Sequence, residues 1–290
     1  MPKTKKLHQK TKKLLEQGKV FSPTYDLVFK SLLMDPQCRD YLIELIHGIT
    51  KIPKEDMKEH LHIENSEHLI HHKNEKGKRS DMIISIKNNI INLEMNREYY
   101  DGLFEKNHIY SATLLSPILL SGQSYRDLKS VIQINFNNFQ KFGEEVMVHF
   151  IKKSEVGDWV ETRIEESYHI SLEKIRKMYY NKEELSKLEK QLLLLGTDEI
   201  KVLEEISKDD EYMEAAKNKL INLTLEEYCM GIYDGQHMDQ WEEKSKVEYA
   251  EKQGREEEQL KIAKKMKEKG QSVEFIQEMT GLSMEEIEQL

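Results

Sequence analysis

The sequence has few cysteines and no long apolar run. Its two cysteines, Cys38 and Cys229, lie far apart and match no metal-binding or redox spacing. This excludes a disulfide-stapled scaffold and leads us to expect a reducing compartment. No segment approaches the roughly 18–20 apolar residues that a membrane span needs. The N-terminus lacks the apolar stretch of a secretory signal, so we expect a cytoplasmic protein without a membrane partner.

Negative charge exceeds positive charge over the whole chain, but positive charge is concentrated at its start. The formal net charge is -9, which argues against a surface coated throughout for nucleic-acid binding, because phosphate neutralisation needs clustered Lys and Arg. Seven lysines nevertheless fall within the first twenty residues. We predict a basic arm there, either solvated or in contact with phosphate. The sequence also lacks a Gly-rich phosphate loop, so we predict no nucleotide cofactor.

Hydrophobic periodicity divides the 290 residues into a mixed segment and a helical segment. Apolar residues at three- and four-residue intervals predict two helices at the start of the mixed segment, and the same spacing predicts a helix over residues 99–120. Alternating patterns predict strands around that helix. The predicted strands are 61–70, 82–87, 90–95, 131–136, 146–151 and 160–170. After about residue 172 the pattern is helical.

One predicted β-hairpin carries acids on a single face. Asparagine tolerates positive φ, so Asn88-Asn89 suits a two-residue turn between its strands. This register places Asp81 opposite Asn96 and makes Asp81 and Glu94 diagonal neighbours. Because side chains alternate along a strand, the other face of the hairpin is entirely apolar.

Two interpretations fit this pair of acids. Adjacent carboxylates repel each other unless a cation lies between them, and Mg²⁺ prefers carboxylate oxygens. A Mg²⁺ ion that keeps open positions for water and a phosphate oxygen suits phosphodiester hydrolysis. Acids on the solvent-facing side of a half-exposed hairpin would give the same pattern. The spacing alone leaves both interpretations open.

Several sequence segments, taken in order, resemble one nuclease family. They are DLVFK at 26–30, RSD at 79–81, NLEMN at 92–96, GQSYRDL followed by VIQINF at 122–136, and MTGLSMEEI at 279–287. Together they are similar to PD-(D/E)XK nucleases, and most closely to the branch of PD-(D/E)XK family transposases and Rpn-type recombination-promoting nucleases. Each segment alone is weak, and their order is what makes the resemblance specific.

The resemblance implies a restriction-endonuclease-like α/β fold, with a mixed central sheet flanked by helices and a helical C-terminal extension. We therefore predict four regions: a basic arm at 1–20, a nuclease-like core at 21–172, a helical region at 173–240, and a long helix with a helix-turn-helix-like hairpin at 241–290. The resemblance also implies a DNA endonuclease that uses Mg²⁺ or Mn²⁺. Asp81 and Glu94 would hold the metal, and Asn96 would take the third motif position, which orients the attacking water.

Asn96 departs from the lysine of the usual motif. Asparagine can hydrogen-bond a water, but it cannot supply the positive charge that lowers the pKa of that water. Lys106 on the following helix is a candidate for the missing charge. Four further residues either belong to the site or are ordinary helix and strand residues. These are Asp26 and Glu44 as extra metal contacts, Gln133 at the border of the site, and Lys30 on the phosphate backbone.

Two functions therefore stay open. One is a metal-dependent DNA endonuclease, and the other is a catalytically weak or inactive descendant that acts as a DNA-binding or protein-interaction module. Asn96 and the acidic tail favour the second. The last predicted helix, 283–290, carries three glutamates and no Lys or Arg, so phosphate would repel it. We therefore expect the C-terminal helices to form a homo-oligomer or to bind a partner protein.

Overall fold

The computed structural model describes residues 9–64, 81–115, 124, 128–154, 159–226 and 258–288. The chain divides into two compact units, Met1–Tyr233 and Asp234–Leu290. Parts of four predicted elements lie outside the described residues: the start of the basic arm, the strand beyond residue 64, the helix beyond residue 115, and most of the long helix after 241. Within the described ranges, none of the helices combines the length and the apolar character needed to cross a bilayer.

The first unit contains nine α-helices and six strands among its described residues. The helices are α1 (Gln9–Glu16), α2 (Asp26–Leu33), α3 (Arg39–Thr50), α4 (Lys54–His60), α5 (Leu103–Leu115), α6 (Leu172–Tyr180), α7 (Lys187–Gly196), α8 (Ile200–Ser207) and α9 (Glu211–Leu225), with a 3₁₀ turn at Pro36–Cys38 before α3. The strands are β1 (His62–Glu64), β2 (Met82–Ile86), β3 (Asn89–Asn96), β4 (Ser130–Asn137), β5 (Met147–Lys153) and β6 (Val160–Ser171).

The six strands form one mixed sheet in the order β1-β2-β3-β4-β6-β5. Strand β4 is parallel to both of its neighbours, β3 and β6, whereas the other neighbouring pairs are antiparallel. Helices precede, separate and follow the strands in the chain, and residues of helices and strands pack together in the main core. This confirms the predicted α/β fold, a mixed central sheet flanked by helices of the restriction-endonuclease-like type.

The register predicted for the β2–β3 hairpin is wrong by two residues. Met82 pairs with Leu93 and Ile86 pairs with Asn89, so the two-residue turn is formed by Lys87 and Asn88. Lys87 takes the positive φ of 48° that this turn requires. A shift of two residues leaves every side chain on its predicted face. It does, however, bring Asp81 to the position opposite Glu94, where a diagonal relationship was expected.

The apolar face of the sheet forms the main hydrophobic core. As the alternation predicts, the core includes the even-numbered residues of β2 and the odd-numbered apolar residues of β3: Met82, Ile84, Ile86, Ile91, Leu93 and Met95. Helix α2 packs Phe29 against Phe136 of β4, with ring centroids 5.7 Å apart. The opposite face of the sheet is largely polar, and α5 contacts it at β4.

The second unit is a small bundle of three described helices, α10 (258–268), α11 (Val273–Thr280) and α12 (Met284–Glu288). Ala263, Ile276 and Ile287, one from each helix, form its buried core. The predicted capping box is present, because Glu286 N–H donates to Ser283 Oγ at 3.3 Å and Ser283 N–H donates to Glu286 Oε2 at 2.8 Å. Gly281, with a φ of 73°, ends α11.

Candidate active site

The sheet face beneath α5 carries rows of polar side chains across the three parallel strands. Read from β3 through β4 to β6, the rows are Asn92–Gln133–Ser167, Glu94–Asn135–His169 and Asn96–Asn137–Ser171. Most of these side chains are buried, and Glu94 is only 1% exposed. Glu94 is therefore not an acid on the solvent-facing side of a half-exposed hairpin. A charged group at this depth requires compensation from its surroundings.

Asp81 and Glu94 hold each other in place through the backbone. Asp81 N–H donates to Glu94 Oε1 at 3.2 Å, and Met95 N–H donates to Asp81 Oδ2 at 2.7 Å. One oxygen of each carboxylate is thus fixed by a main-chain donor. No described hydrogen bond engages the other two oxygens, Asp81 Oδ1 and Glu94 Oε2. The pair therefore presents two carboxylate oxygens that accept no described hydrogen bond, and Glu94 Oε2 has only a long ion-pair contact to Lys106 at 3.9 Å.

The ionisation of both carboxylates is shifted toward the neutral form. Burial, followed by the negative charge of Asp81, raises the pKa of Glu94 to about 8. Burial and the charge of Asp26 raise the pKa of Asp81 to about 6, although the Met95 N–H and nearby lysines oppose this shift. Burial is the largest cause of both shifts, and neighbouring negative charge is the second. An added cation would favour the ionised form of both carboxylates.

Three helix residues that the sequence proposed for the site lie close to this pair. Lys106 of α5 places Nζ 3.9 Å from Glu94 Oε2. Burial, the largest single cause, lowers the pKa of Lys106, but the charges of Glu94, two tyrosines and Asp81 together outweigh it and the net pKa is raised. Asp26 and Lys30 of α2 form an ion pair at 2.7 Å. Both are near enough that their charges act on Asp81.

The donor set fits a hard divalent cation. Among the described residues, no three His, Cys, Asp or Glu side chains converge into a metal-binding cluster. Mg²⁺, however, is usually bound by one or two carboxylates and takes its remaining ligands from water and substrate phosphate. Asp81 Oδ1 and Glu94 Oε2 accept no described hydrogen bond, and both carboxylates have raised pKa values. The pair therefore meets that requirement. Asp81 and Glu94 are the residues that would hold the ion.

Asn96 lies at the end of β3, on the same face as Glu94, but its amide is already engaged. Asn96 Nδ2 donates to Asn137 Oδ1 at 3.0 Å, and the side chain is buried. Arg97, the next residue, stacks on the ring of Tyr25 at 3.7 Å from its centroid. Neither residue brings a positive charge to the carboxylate pair, whereas Lys106 does.

The remaining two predicted residues have different surroundings. Gln133 Oε1 accepts a hydrogen bond at 2.7 Å from Asn92 Nδ2, which also donates to Glu94 Oε1 at 3.3 Å. Gln133 is therefore one residue removed from Glu94, at the border of the site. Glu44 of α3 instead forms ion pairs with Lys54 and Lys187. No described contact connects Glu44 to Asp81 or Glu94.

Comparison with protein families agrees with this geometry. Residues 23–250, most of the chain, match the model of the PD-(D/E)XK nuclease family transposases. The chain belongs to this family. Residues 256–290 match the C-terminal helix-turn-helix domain of the Rpn/YhgA-like nuclease family. A search of curated proteins and a search of solved structures each gave no significant match.

Sequence reasoning missed part of the site of this PD-(D/E)XK nuclease family transposase. Asn92, in the row beside that of Glu94, and Asn135, in the same row as Glu94, are fully buried, and His169 completes the row of Glu94. The signal was present as polar residues at alternate positions in three of the predicted strands, 90–95, 131–136 and 160–170. This pattern can be interpreted only when the strand order is known, because the three strands are neighbours in the sheet but not in the sequence.

Proposed function

We propose that this PD-(D/E)XK nuclease family transposase is a cytoplasmic DNA endonuclease that depends on Mg²⁺ or Mn²⁺ and serves mobile-element movement or recombination. One observation carries the proposal: the buried Glu94 beside the partly buried Asp81, with a main-chain N–H that fixes one oxygen of each carboxylate. Such a pair is poorly compensated in the absence of a cation. It is also fixed in position before any ligand binds, as catalysis requires.

Asp81 and Glu94 share one role in this proposal. Together they would hold the divalent ion. The ion, when bound, supplies positive charge that stabilises the phosphodiester in its transition state. Asp26 adds negative charge beside Asp81, and Lys30 contacts the backbone phosphate on the same side. Gln133 keeps Glu94 oriented through Asn92.

Asn96 and Lys106 together perform the role of the third motif position. Asn96 orients the attacking water through its amide oxygen, because its amide nitrogen donates to Asn137. Lys106 supplies the positive charge that Asn96 lacks, from its position 3.9 Å from Glu94. The charge thus comes from the covering helix α5, while the strand contributes only a polar neutral group.

Replacing Lys106 with glutamine is expected to slow DNA cleavage at least about tenfold, because a positioned charge near the attacking water is lost. The Lys106→Arg variant keeps the charge and should retain more activity than Lys106→Gln. The measurement is the initial rate of plasmid nicking over a pH series in Mg²⁺. Lys201→Gln, on the exposed surface of α8, is the matched control. Equal rates for Lys106→Gln and the control would remove Lys106 from the mechanism.

The C-terminal helix-turn-helix domain provides a second DNA contact in this proposal. Its first helix, α10, exposes Lys261, Lys264 and Lys265, and Lys269 is exposed directly after it; this cluster suits phosphate contacts. The acidic α12 is unsuited to that task, so α10 is the element that would face DNA. Self-association through the C-terminal helices stays a prediction alongside it.

Metal removal tests the proposed function directly. Purified protein is incubated with supercoiled plasmid in Mg²⁺, in Mn²⁺ or in EDTA, and nicked and linear products are quantified. We expect cleavage in both metals and none in EDTA. A folded protein that leaves the plasmid intact in both metals would overturn the endonuclease and favour a DNA-binding or protein-interaction module. Retention of the uncut plasmid in a gel-shift assay would then identify the DNA-binding form.

A further inference from the structure

A cavity of about 430 Å³ opens beside the carboxylate pair, between α5 and strands β4, β5 and β6. Its size lies within the range of about 300–1,000 Å³ that is typical of small-molecule sites. Its inner wall is formed by Asn107 and Ser111 of α5 and by Asn135 and His169 of the sheet. None of these four residues bears a full charge at neutral pH, because burial lowers the pKa of His169 to about 4.

Three buried polar atoms of this inner wall have no hydrogen-bond partner among the described residues. They are Asn107 Oδ1, Ser111 Oγ and His169 Nδ1. Asn107 and Ser111 are each 2% exposed, and His169 is 9% exposed. Buried polar groups in native proteins are nearly always paired, and an unpaired one carries a desolvation cost. All three atoms belong to residues that line this cavity, where a polar ligand would supply hydrogen-bond partners.

The neighbouring hydrogen bonds determine whether each unpaired atom is a donor or an acceptor. Asn107 Nδ2 donates to Asn135 Oδ1 at 2.8 Å, which leaves Asn107 Oδ1 as an acceptor. Asn135 Nδ2 faces His169 Nε2 at 3.4 Å, so Nε2 accepts and Nδ1 carries the hydrogen. The inner wall thus presents an acceptor, an N–H donor and a hydroxyl that can do either. This mixture matches the edge of a nucleobase.

Two aromatic side chains, Phe104 and Phe150, also line the cavity. Their rings lie 5.1 Å and 5.4 Å from the ring of His169, measured between centroids. Phe150 remains 45% exposed, so its ring is accessible at the cavity. Aromatic side chains beside a polar wall are the usual means by which proteins hold an unstacked base. A phosphate group fits less well, because Glu165 and Glu166 line the cavity and the lining Lys152 forms an ion pair with Glu161.

We propose that this cavity receives a nucleobase of the DNA strand, unstacked from its neighbours, next to the bond that is cleaved. The proposal rests on the proposed function, since it takes DNA as the substrate. In the parallel register Asn135 is the partner of Glu94, one strand spacing away, which is about 4.8 Å. A base in the cavity therefore lies within a nucleotide's reach of the carboxylate pair.

A hydrogen-bond chain also joins the cavity to the carboxylates. Gln133 Nε2 donates to Asn135 Oδ1 at 3.2 Å, and Gln133 Oε1 accepts from Asn92 Nδ2, the group that donates to Glu94. A base that pairs with Asn107 and His169 would fix Asn135 between them. The cavity would thus select substrates with an unpaired or easily unstacked base, and would orient Glu94 when such a base is present.

The test compares two fluorescent DNA duplexes that differ at one nucleotide. The first carries a single bulged nucleotide, and the second carries an abasic residue at the same bulge. Binding of the full chain is measured by fluorescence anisotropy in EDTA, so that no cleavage occurs. We expect wild type to bind the base-bearing duplex at least about tenfold more tightly, because stacking and hydrogen bonds to the base are lost in the abasic duplex.

Two variants of Ser111 and one control assign the effect to the cavity. Ser111→Leu fills the cavity and should make the two affinities equal. Ser111→Ala breaks no described hydrogen bond, so it should fold normally and reduce the preference about threefold through one lost contact. Ala112→Leu adds the same bulk at an exposed neighbouring position of α5 and should keep the full preference.

The outcomes separate this proposal from the proposed function. Equal binding of both duplexes by wild type, together with metal-dependent cleavage of plasmid, would overturn the base-binding cavity and leave the endonuclease intact. A preference that survives in Ser111→Leu would also overturn it, since the base would then bind elsewhere. Failure to bind either duplex, with no plasmid cleavage, would overturn both proposals.

Discussion

Replacing Glu94 with glutamine is expected to lower the rate of metal-dependent DNA cleavage at least about 100-fold while the protein stays folded. Glutamine has the shape of glutamate, and its oxygen can still accept the hydrogen bonds from Asp81 N–H and Asn92 Nδ2 that Glu94 Oε1 accepts now. What the substitution removes is the charge and the second oxygen. In our proposal these are the features that hold the divalent ion.

The stability of the variant distinguishes a functional role for Glu94 from a structural one. In the metal-free protein, the buried carboxylate of Glu94 faces the partly buried carboxylate of Asp81, and burial and Asp81 raise the pKa of Glu94 to about 8. Neutral glutamine relieves that repulsion, so the metal-free variant should melt at the same temperature as wild type or higher at pH 8. A structural residue would instead lose stability on substitution.

The measurements are initial nicking rates in Mg²⁺ and thermal melting followed by circular dichroism. Glu105→Gln, the same substitution on the exposed surface of α5, is the matched control and should behave as wild type in both assays. Asp81→Asn should repeat the loss of cleavage seen for Glu94→Gln. Cleavage at the wild-type rate in either site variant would remove the carboxylate pair from the mechanism.

The sequence was sufficient to predict which residues of the hairpin share a face. Alternation is set by burial, and an error of one residue would have placed Ile84 and Leu93 in the polar layer instead of the core. The register itself was not predictable in this way. A shift of two residues buries the same side chains, so the apolar pattern cannot distinguish the two registers. The choice depends on the turn, where Lys87 takes a positive φ.

The environment of the acids could not be predicted from local sequence. Glu94 is buried because α5, which follows it in the chain, covers that face of the sheet, and spacing within β3 contains no information about this cover. The same holds for Glu44, expected near the metal together with Asp26. Lys187, far along the chain on α7, forms an ion pair with Glu44 at 3.1 Å, in a separate cluster of charges.

Metal affinity is expected to rise steeply with pH, by up to about tenfold per pH unit between pH 6 and 8 for each proton released. Burial and nearby negative charge raise the pKa of Glu94 from 4.5 to about 8 and that of Asp81 from 3.8 to about 6. At pH 6 the metal-free site therefore still holds a proton on Glu94. A cation must displace that proton in order to bind, and at pH 8, close to the pKa of Glu94, about half of the molecules have already lost it.

Calorimetric titration of Mn²⁺ into EDTA-treated and desalted protein at pH 6, 7 and 8 measures this linkage. Repeating the titration in buffers of different ionisation enthalpy counts the protons released on binding. In Glu94→Gln the proton that Glu94 releases is absent, so any remaining binding should be weaker and depend less on pH. An affinity that stays constant from pH 6 to 8 in wild type would contradict metal binding by this pair.

The same shifts determine how the stability of the metal-free protein depends on pH. Both folded-state pKa values lie above the ordinary ones, so the folded protein holds protons that the unfolded chain has released between about pH 4 and 8. Its free energy of unfolding should therefore fall as pH rises through that range. A bound cation opposes this loss of stability, because it stabilises the ionised carboxylates and binds only the folded state. Mn²⁺ should thus raise the melting temperature more at pH 8 than at pH 6, and a larger rise at pH 6 would place the ion elsewhere on the protein.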